Sequence, residues 1–167
     1  MRGLPETRRG LNAREGIPFS SQIIKYGSAI ALGGLLADLL AADIALAPAI
    51  DVVAPVPLSN ARLAERGFNQ ALEIARPLAR ARGLRITADL GHRVRNTGAQ
   101  ADLPFGARRK NVRGAIACVE DLSGMRVAVV DDVMTTGATL DEFARVLKSR
   151  GALHVENWVV ARTLLRD

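Results

Sequence analysis

The 167-residue chain predicts an α/β fold in which a mainly parallel central sheet is flanked by helices. Three observations carry that prediction. Val127-Ala128-Val129-Val130 is a short, uninterrupted apolar run of the kind found in strands buried on both faces of a parallel sheet. A helical pattern over Ala138–Arg150 and a further apolar stretch over Leu153–Ala161 follow it, so strand and helix alternate. Apolar residues make up 49% and charged residues 24%, a folded rather than a disordered balance.

The elements can be justified in order. Residues 1–16 are polar and basic with little periodicity and read as a mobile tail, leaving 17–167 as one domain. Ser28–Ala42 reads as a helix, with Ala31, Leu35, Leu36, Leu39 and Leu40 at helical spacing. Asp51–Pro57 reads as a buried strand ending in a proline-stiffened turn. Phe68–Arg82 is expected to be helical, with Leu72, Ile74, Ala75 and Leu78 inward and Gly83 as the stop. Leu84–Ala88 and Ala115–Val119 are short candidate strands. Residues 91–113, polar, basic and turn-rich, read as one long loop. The strand containing Val127–Val130 is expected to end at Asp131-Asp132, and Val133–Gly137 to turn the chain into the last helix, which Gly151 stops.

Composition narrows the chemistry. The single cysteine, Cys118, excludes an internal disulfide framework and a cysteine-rich zinc module, and it reads as a core residue. The two histidines, His92 and His154, are isolated and too few for a histidine-built metal site. Asp38, Asp43 and Asp51 interrupt the most apolar stretch, so no membrane insertion is expected, and the expected setting is cytoplasmic. Residues 62–113 carry twelve basic and four acidic side chains, a net +8, which suits a polyanionic partner such as a ligand phosphate or nucleic acid. Arg76, Arg80, Arg82 and Arg85 within this block read as a solvated surface. Aromatic residues make up only 4%, which argues against single-strand binding by base stacking.

The segment VAVVDDVMTTGAT gathers chemistry at one point. In open α/β sheets, ligands bind beyond the carboxyl ends of the strands. Here two carboxylates, Asp131 and Asp132, end a strand. A Thr- and Gly-rich loop then runs into a helix N-terminus, where backbone N–H groups and hydroxyls can hold a phosphate. The carboxylates suit sugar hydroxyls or a magnesium ion. The combination reads as a ribose 5-phosphate site. Neither G-x-x-x-x-G-K-[ST] nor G-x-G-x-x-G occurs, so P-loop and dinucleotide folds are excluded.

This segment resembles the 5-phosphoribosyl 1-pyrophosphate (PRPP) motif of type I phosphoribosyltransferases, whose fold it therefore implies. Further residues resemble the ComF-like family of competence-associated proteins with such a domain. They are Pro55, Pro57 and Leu58; the box Arg66–Gln70; Arg93, Arg95, Thr97, Gln100 and Leu103; and Arg108 or Arg109 with Asn111 and Val112. The resemblance spans about residues 20–162. The cysteine-rich N-terminal module frequent in that family has no counterpart here.

The resemblance implies several roles. Asp131 and Asp132 would bind the ribose hydroxyls and magnesium, with Asp132 a candidate general base. Val133, Met134, Thr135, Thr136, Gly137, Ala138 and Thr139 would form the PRPP loop. Arg62 and Arg66 would meet pyrophosphate, and Arg93, Arg95 and Gln100 would lie on a mobile loop closing over the ligand. Asn69 reads as a helix cap. The implied activity is Mg2+-dependent transfer of ribose 5-phosphate to a nitrogen acceptor. The alternative is a non-catalytic PRPP-binding or DNA-uptake module, with single-stranded DNA or competence-machinery proteins as partners. The apolar stretch 28–50 is compatible with packing on the sheet or with a homodimer contact.

Overall fold

The computed structural model describes residues 6–12, 29–44, 49–95 and 110–162. Five parallel strands form the main sheet: β1 (Glu6–Asn12), β2 (Val52–Pro55), β3 (Arg85–Ile86), β6 (Arg126–Met134) and β7 (His154–Arg162), in the order β1-β7-β6-β2-β3. A two-residue antiparallel pair, β4 (His92–Arg93) with β5 (Ile116–Ala117), stands apart from it. The helices with both ends among the described residues are α1 (Ala29–Asp43), α2 (Asn60–Arg66), α3 (Gln70–Ala81) and α4 (Ala138–Ser149).

Strand alternation divides the core into two layers. On one face Val52, Ala54, Val127, Val129, Val155 and Val159 pack with Leu140, Phe143, Ala144 and Leu147 of α4. On the other, Val53, Ala128, Val130, Trp158 and Val160 pack with Leu36 and Leu40 of α1 and with Ile74, Ala75 and Leu78 of α3. Both faces of β6 are covered over Val127–Val130, which is why that part of the strand is an unbroken apolar run. Pro77 inside α3 removes the N–H that would bond the Glu73 carbonyl, and α1 lies close against that carbonyl. A Cβ at Gly33 would come within 2.7 Å of the Glu73 oxygen, so the approach requires glycine.

Three expectations need correction, and one helix is additional to them. Glu6–Asn12, read as part of a mobile tail, is β1 and pairs in register with β7 from Glu6↔Glu156 to Asn12↔Arg162. Its recruitment satisfies a backbone edge, which side-chain patterning does not reveal. The stretch before Phe68 forms a separate helix, α2, capped by the Ser59 side chain and ended by Gly67 at φ +77°. The 91–113 region is not all loop, because His92–Arg93 pairs with β5. Finally, β6 does not stop at the acidic pair: Val133 and Met134 remain paired with Ala161 and Arg162 of β7.

Candidate functional site

The C-terminal ends of β2 and β6 open onto a common edge with the N-terminus of α4. Asp131 and Asp132 stand there, both only partly exposed. Each carboxylate accepts the N–H of the following residue: Asp132 N–H reaches Asp131 Oδ1 at 3.0 Å, and Val133 N–H reaches Asp132 Oδ1 at 2.7 Å. Burial, reinforced by the neighbouring Asp132 charge, pushes the Asp131 carboxyl well above the usual carboxylate range, while the charge of Arg93 works in the opposite direction.

Beyond β6, Gly137 adopts φ +77° and serves as the N-cap residue of α4, a conformation that favours glycine. The Thr136 hydroxyl accepts Ala138 N–H at 3.3 Å. The first turn of α4 follows, with the positive end of the helix dipole directed at the loop. Met134 is buried in the core and would lie 3.5 Å from a Cβ at Gly137, so its side chain supports the loop from beneath.

The turn after β2 forms the opposite wall. Val56 N–H donates to Val130 O of β6 at 2.9 Å. The Val56 carbonyl accepts Asn69 Nδ2 at 3.0 Å, and the Pro57 carbonyl accepts Arg93 Nε at 3.1 Å. Ser59 Oγ accepts Arg62 N–H at 3.4 Å and starts α2, which carries Arg62 and Arg66 on one face. The Asn69 side chain also accepts Ala71 N–H at 3.0 Å, the capping role expected of it. Gly67 and Asn69 therefore make the Arg66–Gln70 box in large part a connector between two helices.

The structure brings Asp131, Asp132, the 135–139 loop, Arg62 and Arg93 to one edge. Arg93 is a strand residue rather than a loop residue, and sequence reasoning missed its bond to Pro57. Burial, then the nearby Arg62, loosens its hold on its proton, and Asp131 partly compensates. Arg66 is exposed at the far end of α2. Arg95 Nη2 donates to the Arg113 carbonyl. Gln100, Thr97, Leu103, Arg108 and Arg109 lie outside the described residues. Cys118 is buried in the core, and burial pushes its thiol up. His154 is not isolated: its Nε2 lies 3.8 Å from Oε2 of the fully buried Glu156.

Both acids offer hard oxygen ligands, and Asp131 gains from a neighbouring positive charge. Among the described residues no group of three or more His, Cys, Asp and Glu side chains gathers. Magnesium commonly takes one or two carboxylates and completes its shell with water and substrate oxygens, so the pair fits that ion. No helix among the described residues is long and apolar enough to cross a membrane.

Residues 63–164 match the family model of the phosphoribosyl transferase domain. The chain is 33% identical over 147 residues to the DNA utilization protein YhgH of Salmonella typhi, covering 84% of this chain and 65% of that protein. It is 34% identical over 115 residues to Competence protein F of Haemophilus influenzae, covering 67% and 50% respectively. The chain thus spans about half to two-thirds of the length of these curated relatives. The solved glutamine PRPP amidotransferase from B. subtilis, complexed with ADP and GMP, superposes with a TM-score of 0.51 at 25% identity, over 79% of this chain and 26% of that one.

Proposed function

Because the chain belongs to the phosphoribosyl transferase domain family, we propose that it binds PRPP and transfers ribose 5-phosphate to a nitrogen acceptor, releasing pyrophosphate. The observation that carries this reading is the placement of Asp131 and Asp132 near the C-terminal end of β6, with Val133 and Met134 between them and a Thr/Gly loop that leads into the N-terminus of α4. The ribose 5-phosphate sits in the cradle of residues 135–139 and the first turn of α4. Asp131 and Asp132 accept hydrogen bonds from the ribose hydroxyls. Arg62 faces the pyrophosphate, and its guanidinium group stabilises the charge that grows on it as the C1–O bond breaks. The acceptor nitrogen forms its bond to C1 on the opposite face, and Asp132 takes the proton it loses. Magnesium, held by Asp131 and Asp132 when bound, supplies further positive charge beside the leaving group. The protein acts in the cytoplasm on this reading.

A second reading has support of its own. The relatives are named for DNA utilization and competence, and residues 62–113 carry a net +8 from twelve basic and four acidic side chains. On that reading the domain binds PRPP without turnover and serves DNA uptake through single-stranded DNA or competence-machinery proteins.

Thermal unfolding with and without magnesium-PRPP tests the first reading. A ligand at about 100 times its Kd adds about 2.7 kcal/mol, so the melting temperature should rise in the native protein and not in D131A/D132A. No rise in the folded native protein refutes PRPP binding. A rise without pyrophosphate release across a panel of nitrogen acceptors favours the second reading.

A further inference from the structure

The β4–β5 pair is two residues long and stands apart from the main sheet, so its own ladder does not fix its place. Two consecutive residues of α4 do. Phe143 lies against Gly91, just before β4, where an added Cβ would come within 2.4 Å of the ring. Glu142 Oε1 accepts Gly114 N–H at 2.7 Å, just before β5. Because β4 and β5 are antiparallel, these two attachments grip opposite ends of the pair and set its orientation as well as its position.

Glu142 is held rigidly for that role. It is buried, although one neutral acceptor would satisfy a single N–H. Its two oxygens take Nε–H and Nη2–H of Arg145, a forked contact that keeps Oε1 turned towards Gly114. Gly114 stands at φ +68°, a conformation that favours glycine.

The pair carries this position across to the other wall of the site. Val94 N–H donates to the Ala115 carbonyl at 3.0 Å, and Arg93 Nε–H donates to the Pro57 carbonyl at 3.1 Å. Val56 N–H then donates to Val130 O of β6 at 2.9 Å, and β6 leads through Gly137 back into α4. The contacts close a ring that runs from α4 through β5, β4 and the turn after β2 to β6. The bond from Gly114 to Glu142 is the hydrogen bond in that ring that ties the pair to α4.

We propose that Glu142 is a positioning residue for the candidate site: its hold on Gly114 sets, through the β4–β5 pair, where the turn after β2 stands relative to the loop 135–139. The proposal rests on the PRPP reading above, in which one ligand spans both walls.

The test uses isothermal titration calorimetry on the wild type, E142A, E142Q and E142D, at a temperature where circular dichroism shows each to be folded. The probes are magnesium-PRPP, which spans both walls, and ribose 5-phosphate, which reaches only the loop 135–139 and the acids. E142A should weaken magnesium-PRPP about tenfold or more, the scale on which a displaced positioning contact acts. Ribose 5-phosphate should stay within about twofold of the wild type. E142Q keeps an acceptor for Gly114 N–H and should restore most of the magnesium-PRPP affinity. If E142A does not fold, E142D, whose shorter side chain draws back from Gly114, decides by the same pattern. Equal loss on both ligands marks a merely structural residue and overturns the proposal. So does unchanged affinity for magnesium-PRPP, or E142Q as weak as E142A. A wild type that binds ribose 5-phosphate but not magnesium-PRPP overturns the positioning role while leaving the phosphate cradle in place. A wild type that binds neither overturns the PRPP reading and this proposal together.

Discussion

Gly91 lies so close to the ring of Phe143 that a Cβ added to it would come within 2.4 Å of Cε2 and 2.6 Å of Cζ. Phe143 is fully buried on α4, the helix whose N-terminus faces the candidate site. Gly91 immediately precedes β4, so this contact fixes the start of that strand against α4. A second contact secures β5 to the same helix, where Gly114 N–H donates to Glu142 Oε1 at 2.7 Å.

The first contact predicts that Gly91→Ala destabilises the protein by about 1–3 kcal/mol, the usual cost of overpacking a filled core. Combining it with Phe143→Leu should cost less than the sum of the two single changes, because the ring supplies the clash. Urea unfolding of the four proteins measures both quantities. An unchanged midpoint for Gly91→Ala would mean that the ring can move aside.

Glu142 is 7% exposed and also accepts Arg145 Nε–H and Nη2–H, at 2.9 and 2.7 Å. The Arg145 guanidinium and the Gly114 N–H hold its carboxyl below the usual range, against the opposing effect of burial. Glu142→Ala should cost about 1–3 kcal/mol, since it strands the Gly114 N–H. Arg145→Ala should cost less, since the Arg145 side chain is 57% exposed. Thermal melts of the two variants rank them, and a larger loss in Arg145→Ala would contradict the assigned order.

Asp131 gives a prediction with a definite sign. Its folded pKa exceeds the unfolded one, so the fold prefers the protonated carboxyl. Stability therefore falls as pH rises from about 4 through the folded value, and the full cost remains above it. Asp131→Asn keeps an acceptor for Asp132 N–H without the charge. In chelator-treated, ligand-free protein it should melt higher than the wild type at pH of about 8, with the gap narrowing towards pH of about 4. The same variant should lose the stabilisation by magnesium-PRPP. Scanning fluorimetry across pH reads both, and a lower melting temperature at high pH would refute the first part.

Asp51 behaves oppositely. Its hydrogen bonds to the Arg126 side chain and backbone, at 3.0, 3.1 and 2.8 Å, lower its pKa to about 2. The pair's contribution is therefore present above pH of about 4 and lost as pH falls towards about 2. Asp51→Asn should lower the melting temperature slightly at neutral pH, because the pair is exposed. The difference from wild type should close in acid, and a difference that persists at pH of about 2.5 would exclude charge as its source.

Much of the framework was legible along the chain. Val127–Val130 announced a strand buried on both faces, and the spacing of Leu140, Phe143, Ala144 and Leu147 announced α4. Asn69 announced a cap. These signals depend on neighbours within a turn or two. By contrast, Glu6–Asn12 lacks the apolar alternation of a strand and joins the sheet through its backbone alongside β7. The helix α2 was hidden because only the pairing of Ser59 with Gly67 marks its ends, and none of its residues is buried.

By itself, the sequence determined the strands β2 and β6, the helices α3 and α4, and that two acids precede a Thr/Gly loop, because apolar period and local caps are short-range properties. The tertiary structure decided which residues meet. Arg93 reaches Pro57 across 36 positions, Gly114 reaches Glu142 across 28, and Arg126 reaches Asp51 across 75. Those encounters follow from β6 lying between β2 and β7, an order set by burying both faces of the sheet at once rather than by the spacing within any segment.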